Sequence, residues 1–223
     1  MSIVHESPPI HIPASAFSFA GFRRWANSPD YPKHGRVCYI RGEIEVDMNA
    51  DELRDHNPIK AAILVDLMIL IRVEKLGKVL TDGVRLVNEE GVIISEPDLV
   101  FARHETIRAG KVRYVESDDD SGRVLEMEGT PDLVLEVVSK HSVRKDTVLL
   151  PLAYYEGGIS EYWLIAPQDD GVDFRLLVRG EKAYVPVPAD ADGYRFSPSF
   201  QRSFFLQRMP DEYGRYDYQL LWR

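Results

Sequence analysis

The chain has 223 residues, of which 44% are hydrophobic and 28% charged, and its formal net charge is −9. This acidic balance argues against a dedicated nucleic-acid-binding protein, although a bound metal and a local basic surface could still contact phosphate. The single cysteine, Cys38, excludes an intrachain disulfide and a thiolate metal cluster. No apolar run is long enough to span a bilayer and no signal peptide is recognisable, so we expect a cytoplasmic protein without membrane contact.

The first half of the chain predicts a lead-in followed by alternating helices and strands. Residues 1–15 are rich in proline and predict an extended segment, and residues 16–223 predict one domain. In chain order, hydrophobic periodicity predicts a helix at 17–26, a strand or hairpin at 37–48, a helix at 56–76 capped by Gly77, a strand at 79–87 with a turn or bulge at 82–83, and a strand at 92–102.

The second half predicts mainly strands. A polar connection at 103–129, with short strands at 112–115 and 124–127, is followed by a central strand at 132–138 and a helix at 147–156. The strands predicted after this helix are 161–165, 174–178, 183–186, 194–197 and 216–222. This order predicts an α/β domain built on a central mixed β-sheet that is flanked by helices, with additional C-terminal strands.

The sequence Pro-Asp-Leu-Val occurs twice, at 97–100 and 131–134, and each copy begins an apolar strand with a carboxylate. The second strand also carries Glu136 between apolar residues, where a charge is costly unless something compensates it. A structural salt bridge is one compensation. A divalent metal shared by Asp98 and Glu136 is the interpretation that we favour, because buried ionisable groups cluster at functional sites.

Such a pair of carboxylates suits Mg²⁺, which also accepts phosphate oxygens and lowers the pKa of a bound water molecule. Lys140 and Lys145 are the nearby cations that could hold that water or the phosphate, although each alone is typical of a surface lysine. Asp98 and Asp132 alone would more often be turn residues. The six histidines have no zinc-ligand spacing, and no glycine-rich phosphate loop is present.

The run 131–139, the triplet 144–146, Tyr154 and the run 158–164 together resemble the Uma-two family of endonucleases, in the PD-(D/E)XK superfamily. The resemblance extends over roughly residues 36–180. It implies a restriction-endonuclease-like fold and Asp98 and Glu136 as ligands of Mg²⁺ or Mn²⁺. It also implies DNA as a partner and a homodimer, for which residues 213–222 offer either an edge strand or a covering tail.

The resemblance also implies a lysine and a further acidic residue. The lysine would stand at position 138 or 150, where this chain has Val138 and Leu150. Lys145 or Lys140 would therefore have to replace it. The acidic residue before the long helix is best matched by Glu43, with Glu45 as the alternative.

Two functional hypotheses follow. In the first, the protein is a Mg²⁺-dependent DNA endonuclease in which Asp98 and Glu136 bind the metal and Lys145, or failing that Lys140, positions water and phosphate. Glu43 would bind a second ion or orient a base. In the second, the fold is a catalytically degenerate nuclease that serves as a binding or assembly module. Hydrolysis of another phosphoester is a third reading of the same metal geometry.

Overall fold

The computed structural model describes residues 10–49, 55–81, 83–116 and 123–223, and every statement on the structure concerns these residues. Residues 1–9 of the predicted lead-in and Asp82 of the predicted turn lie outside them. The helices are α1 (Phe19–Ala26), α2 (His56–Glu74), α3 (His104–Arg108) and α4 (Leu150–Glu156), together with a 3-10 turn at Ala14–Phe17 and a π-helical turn at Lys145–Leu149.

Fifteen strands are found in the described residues. They are β1 (Arg36–Ile40), β2 (Glu43–Asp47), β3 (Gly77–Thr81), β4 (Arg85–Asn88), β5 (Ile93–Ser95), β6 (Leu99–Arg103), β7 (Val112–Glu116), β8 (Val124–Gly129), β9 (Leu133–Val137), β10 (Glu161–Gln168), β11 (Gly171–Arg179), β12 (Tyr184–Pro186), β13 (Arg195–Ser197), β14 (Arg202–Pro210) and β15 (Tyr216–Trp222).

The central sheet has the strand order β12-β11-β10-β9-β6-β3, and it is mixed because β9 and β10 run parallel while the other pairs are antiparallel. Strand β9 is buried along its whole length. One face of β9, with Leu133, Leu135 and Val137, packs against α2. The other face, with Val134, packs against α4 through Leu150. Glu136 shares the second face by strand alternation.

Two further sheets surround this centre. One has the order β2-β1-β5-β4-β8-β7, and the other is the C-terminal sheet β13-β14-β15. Strand β15 packs against α2, and its Leu220 N–H donates to Oδ2 of Asp66 on that helix at 2.8 Å. Of the two roles predicted for residues 213–222, this contact favours a tail that covers the domain over an edge strand that pairs with a second copy.

Most predicted elements are confirmed, and the exceptions have physical causes. The predicted strands 79–87 and 92–102 are each divided between two sheets, as β3 with β4 and as β5 with β6. The helix cap at Gly77 is wrong, because Lys75 takes the left-handed conformation (φ 55°) instead. Gly77 begins β3, where a Cβ would lie 2.1 Å from the carbonyl oxygen of Ala102. Strand β14 was not predicted.

The repeated Pro-Asp-Leu-Val builds the pairing of β6 with β9. In this antiparallel pair Leu99 lies opposite Leu135 and Phe101 opposite Leu133. Each motif aspartate accepts a backbone N–H from the neighbouring strand. Asp98 Oδ2 accepts from Val137 at 2.8 Å, and Asp132 Oδ2 accepts from Arg103 at 2.7 Å. The two copies are thus related by a local pseudo-twofold, with one aspartate at each end of the pair.

We expect Asp132→Ala to destabilise the domain, because it removes a charge-assisted hydrogen bond that fixes the end of β6. The expected loss in free energy of unfolding is about 1–3 kcal/mol, measured by urea denaturation. An unchanged free energy of unfolding would contradict the anchoring role of this carboxylate.

Candidate metal centre

The site forms where the chain passes from one sheet to another. Strand β5 ends at Ser95 in the outer sheet and β6 begins at Leu99 in the central sheet, so Asp98 lies at the junction. The pairing of β6 with β9 ends at Leu99 and Leu135, so Asp98 and Glu136 lie just beyond and just inside the ends of these strands, respectively. Both carboxylates line the same cleft, and the charge of Asp98 contributes to the raised pKa of Glu136, so the two groups lie close together.

Glu136 lies on the buried strand β9 but close to other ionisable groups of the cleft. Its side chain is buried, and the hydroxyl group of Tyr154 on α4 donates to Oε1 at 3.1 Å. The same hydroxyl group lies 3.1 Å from Oγ of Ser95. Burial raises the pKa of Glu136 to about 8, and the negative charges of Asp98 and Asp146 add to this effect, while Lys145 opposes it.

Asp98 is equally buried but is surrounded by cations. Its Oδ1 lies 3.1 Å from Nη1 of Arg36, at the start of β1, and 3.2 Å from Nζ of Lys60 on α2. Its Oδ2 lies 3.8 Å from Nε2 of His56. Burial alone would raise the pKa of Asp98, but Lys60, Arg36 and the N–H of Val137 outweigh it and hold this pKa below its usual range.

The π-helical turn brings a lysine into the site. Lys145 is the first residue of this turn, and its Nζ lies 3.0 Å from Oδ1 of Asp146. Burial would lower the pKa of Lys145, yet Glu136 and Asp146 raise it, so the ammonium group stays charged. Leu150, where the resemblance implies the alternative lysine, donates its N–H to the carbonyl oxygen of Lys145 and is fully buried.

The other residues predicted for the site lie further from its centre. Lys140 is exposed and lines the cleft. Glu43 and Glu45 on β2 form ion pairs with Arg144, at 2.9 and 2.7 Å, and are not among the residues that line this cleft.

Sequence reasoning missed Arg36 and Lys60 as neighbours of Asp98. For Lys60 a signal existed, because His56 and Lys60 are four residues apart in α2 and therefore share one face of the helix. For Arg36 the sequence offers no comparable signal, because its approach to Asp98 depends on how the outer sheet packs.

The carboxylates open onto a cleft of about 260 Å³. Its charged lining residues are Arg36, Asp47, His56, Asp98, Glu136, Lys140, His141, Lys145 and Asp146. The described residues contain no group of three or more His, Cys, Asp and Glu side chains suited to a metal ion. Two carboxylates that line one cleft nevertheless fit Mg²⁺, which takes one or two carboxylates and completes its shell with water and phosphate oxygens.

A family model described as "Putative restriction endonuclease", Uma2, matches residues 19–207. The chain belongs to the Uma2 family. Its structure is similar to the crystal structure of a protein described as a putative nuclease belonging to DUF820 from Anabaena variabilis, with a TM-score of 0.58 and 15% sequence identity. The similarity covers 82% of this chain and 90% of the other and concerns the fold. No curated protein matches the sequence.

The family match and the structural similarity confirm the family and the nuclease-like α/β fold that the motifs predicted. Within the described ranges, no helix of this Uma2 protein is both long enough and apolar enough to cross a membrane.

The raised pKa of Glu136 makes stability depend on pH when no ion is bound. A carboxyl group whose folded-state pKa lies above the usual 4.5 stabilises the fold fully when the pH is below 4.5. This stabilisation is lost as the pH rises towards about 8. As the pH rises from about 5 to about 8.5, the free energy of unfolding of the wild type should therefore fall relative to that of Glu136→Gln. We expect this difference in favour of the variant to grow by about 2–4 kcal/mol.

The measurement is urea unfolding at both pH values with a chelator present. The exposed carboxylate Glu105 offers a control, because Glu105→Gln should leave the difference between the two pH values unchanged. A Glu136→Gln variant that follows the wild type at both pH values would contradict the burial of a protonated carboxyl group.

Proposed function

We propose that this Uma2 protein is a divalent-metal-dependent endonuclease that hydrolyses DNA phosphodiester bonds, with Asp98 and Glu136 as the metal ligands. The observation that supports this most directly is the single cleft lined by Asp98, Glu136 and the largely buried Lys145. The family description supports nuclease activity, and restriction-endonuclease-like families generally use divalent metals.

Each residue of the site has a role suited to this reaction. When bound, Mg²⁺ or Mn²⁺ would activate a water molecule and stabilise the negative charge that develops on the phosphate. The N–H of Val137 orients Asp98, and the hydroxyl group of Tyr154 orients Glu136. Lys145 keeps its charge in the cleft, and we propose that it donates hydrogen bonds to the attacking water or to the phosphate.

The cations of the cleft support a phosphate substrate even though the protein is acidic overall. Arg36, Lys140 and Lys145 line the cleft beside four acidic residues, and Lys60 contacts Asp98 from α2. A bound divalent ion would add two positive charges to this balance, and positive charge attracts an anionic substrate within about one Debye length, roughly 8 Å at physiological salt. Both carboxylates come from one chain, so the proposed site is complete without a second copy.

Glu43 and Glu45 have a supporting role in this proposal. They hold Arg144, which directly precedes Lys145. We propose that this contact fixes the start of the π-helical turn and thereby the position of the lysine.

The alternative is a nuclease fold that binds without turnover, and Leu150, where the resemblance implies the alternative lysine, is the observation that favours it. The position of Lys145 favours turnover, because its charge acts on Glu136 from a buried location. Metal binding and DNA binding without cleavage would select the alternative.

We expect Asp98→Ala and Glu136→Ala each to lower metal-dependent nicking of plasmid DNA at least about 100-fold, which corresponds to about 2.7 kcal/mol of transition-state stabilisation. The matched control is Asp132→Ala, which alters the second copy of the same motif away from the cleft. Circular dichroism would establish that each variant is folded. Wild-type cutting by both Asp98→Ala and Glu136→Ala would contradict the ligand assignment.

The two candidate lysines can be separated by the same assay. We expect Lys145→Met to lower the nicking rate about 100-fold or more, because a charged donor next to the reacting groups is lost. Lys140→Met should lower it less than about fivefold, since the charge of this exposed side chain is screened by solvent. The reverse order of effects would assign the catalytic role to Lys140.

A further inference from the structure

We propose that Arg36 and Lys60 neutralise Asp98 in the protein without an ion and transfer to the substrate phosphate when the ion binds. The inference rests on the proposed function and deepens it, because it adds two substrate-binding residues to the site. It also makes the ion and the phosphodiester bind cooperatively.

The contacts of Asp98 differ between its two oxygen atoms. Oδ2 accepts the N–H of Val137, a backbone contact that belongs to the strand pairing and stays in place. Oδ1 is contacted by both cations, Arg36 at 3.1 Å and Lys60 at 3.2 Å. A metal ion that coordinates Oδ1 must therefore approach two positive charges, and their repulsion disfavours binding of the ion alone.

Both cations can leave Asp98 without a change in the backbone. Arg36 and Lys60 have long side chains, rooted on β1 and on α2, and only their head groups contact the carboxylate. Asp98 lines both the main cleft, which Arg36 also lines, and a neighbouring cavity of about 190 Å³, which Lys60 also lines, so the two cavities meet at this carboxylate. Each cation thus stands beside open space on its own side of the carboxylate.

A phosphate next to the ion gives both cations a new partner. Its oxygens accept two parallel hydrogen bonds from a guanidinium group and further bonds from an ammonium group. The ion then neutralises Asp98 while the phosphate neutralises Arg36 and Lys60, so each ligand removes the penalty against the other. By linkage the two affinities must rise by the same factor.

A purely structural salt bridge predicts a different outcome. If Arg36 and Lys60 only neutralise buried Asp98, their loss can still strengthen binding of the ion, but it leaves DNA affinity in Ca²⁺ unchanged. Under the proposal, the loss of either cation should strengthen binding of the ion alone and weaken binding of DNA. The fall in DNA affinity separates the two roles, and an unchanged DNA affinity in both variants would overturn the transfer.

The experiment measures Mn²⁺ binding by calorimetry, and binding of a short DNA duplex in Ca²⁺, which serves as an ion chosen to limit cleavage. The variants are Arg36→Met and Lys60→Met, each of which keeps one cation on Asp98. We expect Mn²⁺ affinity without DNA to rise at least about fivefold and DNA affinity in Ca²⁺ to fall about tenfold in each. The factor by which Ca²⁺ strengthens DNA binding should fall towards one.

Two control variants remove a positive charge elsewhere. Arg113→Met alters an exposed residue paired with Glu128, and Lys78→Met alters an exposed residue of β3, and neither should change Mn²⁺ affinity. Thermal melting would establish folding. If Arg36→Met does not fold, Arg36→Lys keeps the charge without the two parallel hydrogen bonds and should weaken DNA binding while leaving Mn²⁺ affinity close to the wild type.

The outcomes distinguish this inference from the proposed function. Unchanged or weaker Mn²⁺ binding in both Arg36→Met and Lys60→Met would overturn the transfer of the cations, even where Asp98→Ala abolishes Mn²⁺ binding as the proposed function requires. Wild-type Mn²⁺ binding by Asp98→Ala would instead overturn the ligand assignment.

Discussion

The structure depends on the antiparallel register of β6 and β9. The pairing ends with Leu99 opposite Leu135, and the N–H of Val137, the residue after Glu136, holds the carboxylate of Asp98 beside the end of β9. A slip of one residue would turn Glu136 into the apolar layer under α2, because side chains alternate faces along a strand. The change of sheet at Pro97 has a related effect, since it leaves Asp98 at the end of a strand, where its carboxylate meets an open cleft.

Placing two carboxylates in this position has a large desolvation cost, and the rest of the site is arranged around that cost. Four separate elements provide side chains that offset this cost. Strand β1 provides Arg36, α2 provides Lys60, the π-helical turn provides Lys145 and α4 provides Tyr154. The two acids are treated differently, because cations hold Asp98 ionised whereas burial raises the pKa of Glu136. An acidic protein thereby carries a cleft in which positive groups surround the acids.

The sequence alone was sufficient for the parts of this arrangement that depend on local patterns. The duplicated motif and the charge inside an apolar strand identified Asp98 and Glu136, and periodicity located α2 and β15. The sequence was insufficient for the features that depend on tertiary contacts. Gly77 looked like a helix cap, but the close approach of β6 required a glycine in the strand instead. Strand β14 was missed because its pairing with β13 and β15, rather than its own composition, defines it. Arg36 reaches the site only through the packing of two sheets.

The cations on Asp98 also bear on how the polypeptide reaches its native state. In small metallo-domains the protein ligands repel one another until an ion arrives, so folding itself waits for the metal. Here the chain carries its own counter-charges to the buried aspartate, in Arg36 and Lys60. The fold therefore has no need of an ion to offset the charge of this buried aspartate, because the polypeptide supplies the compensating groups itself.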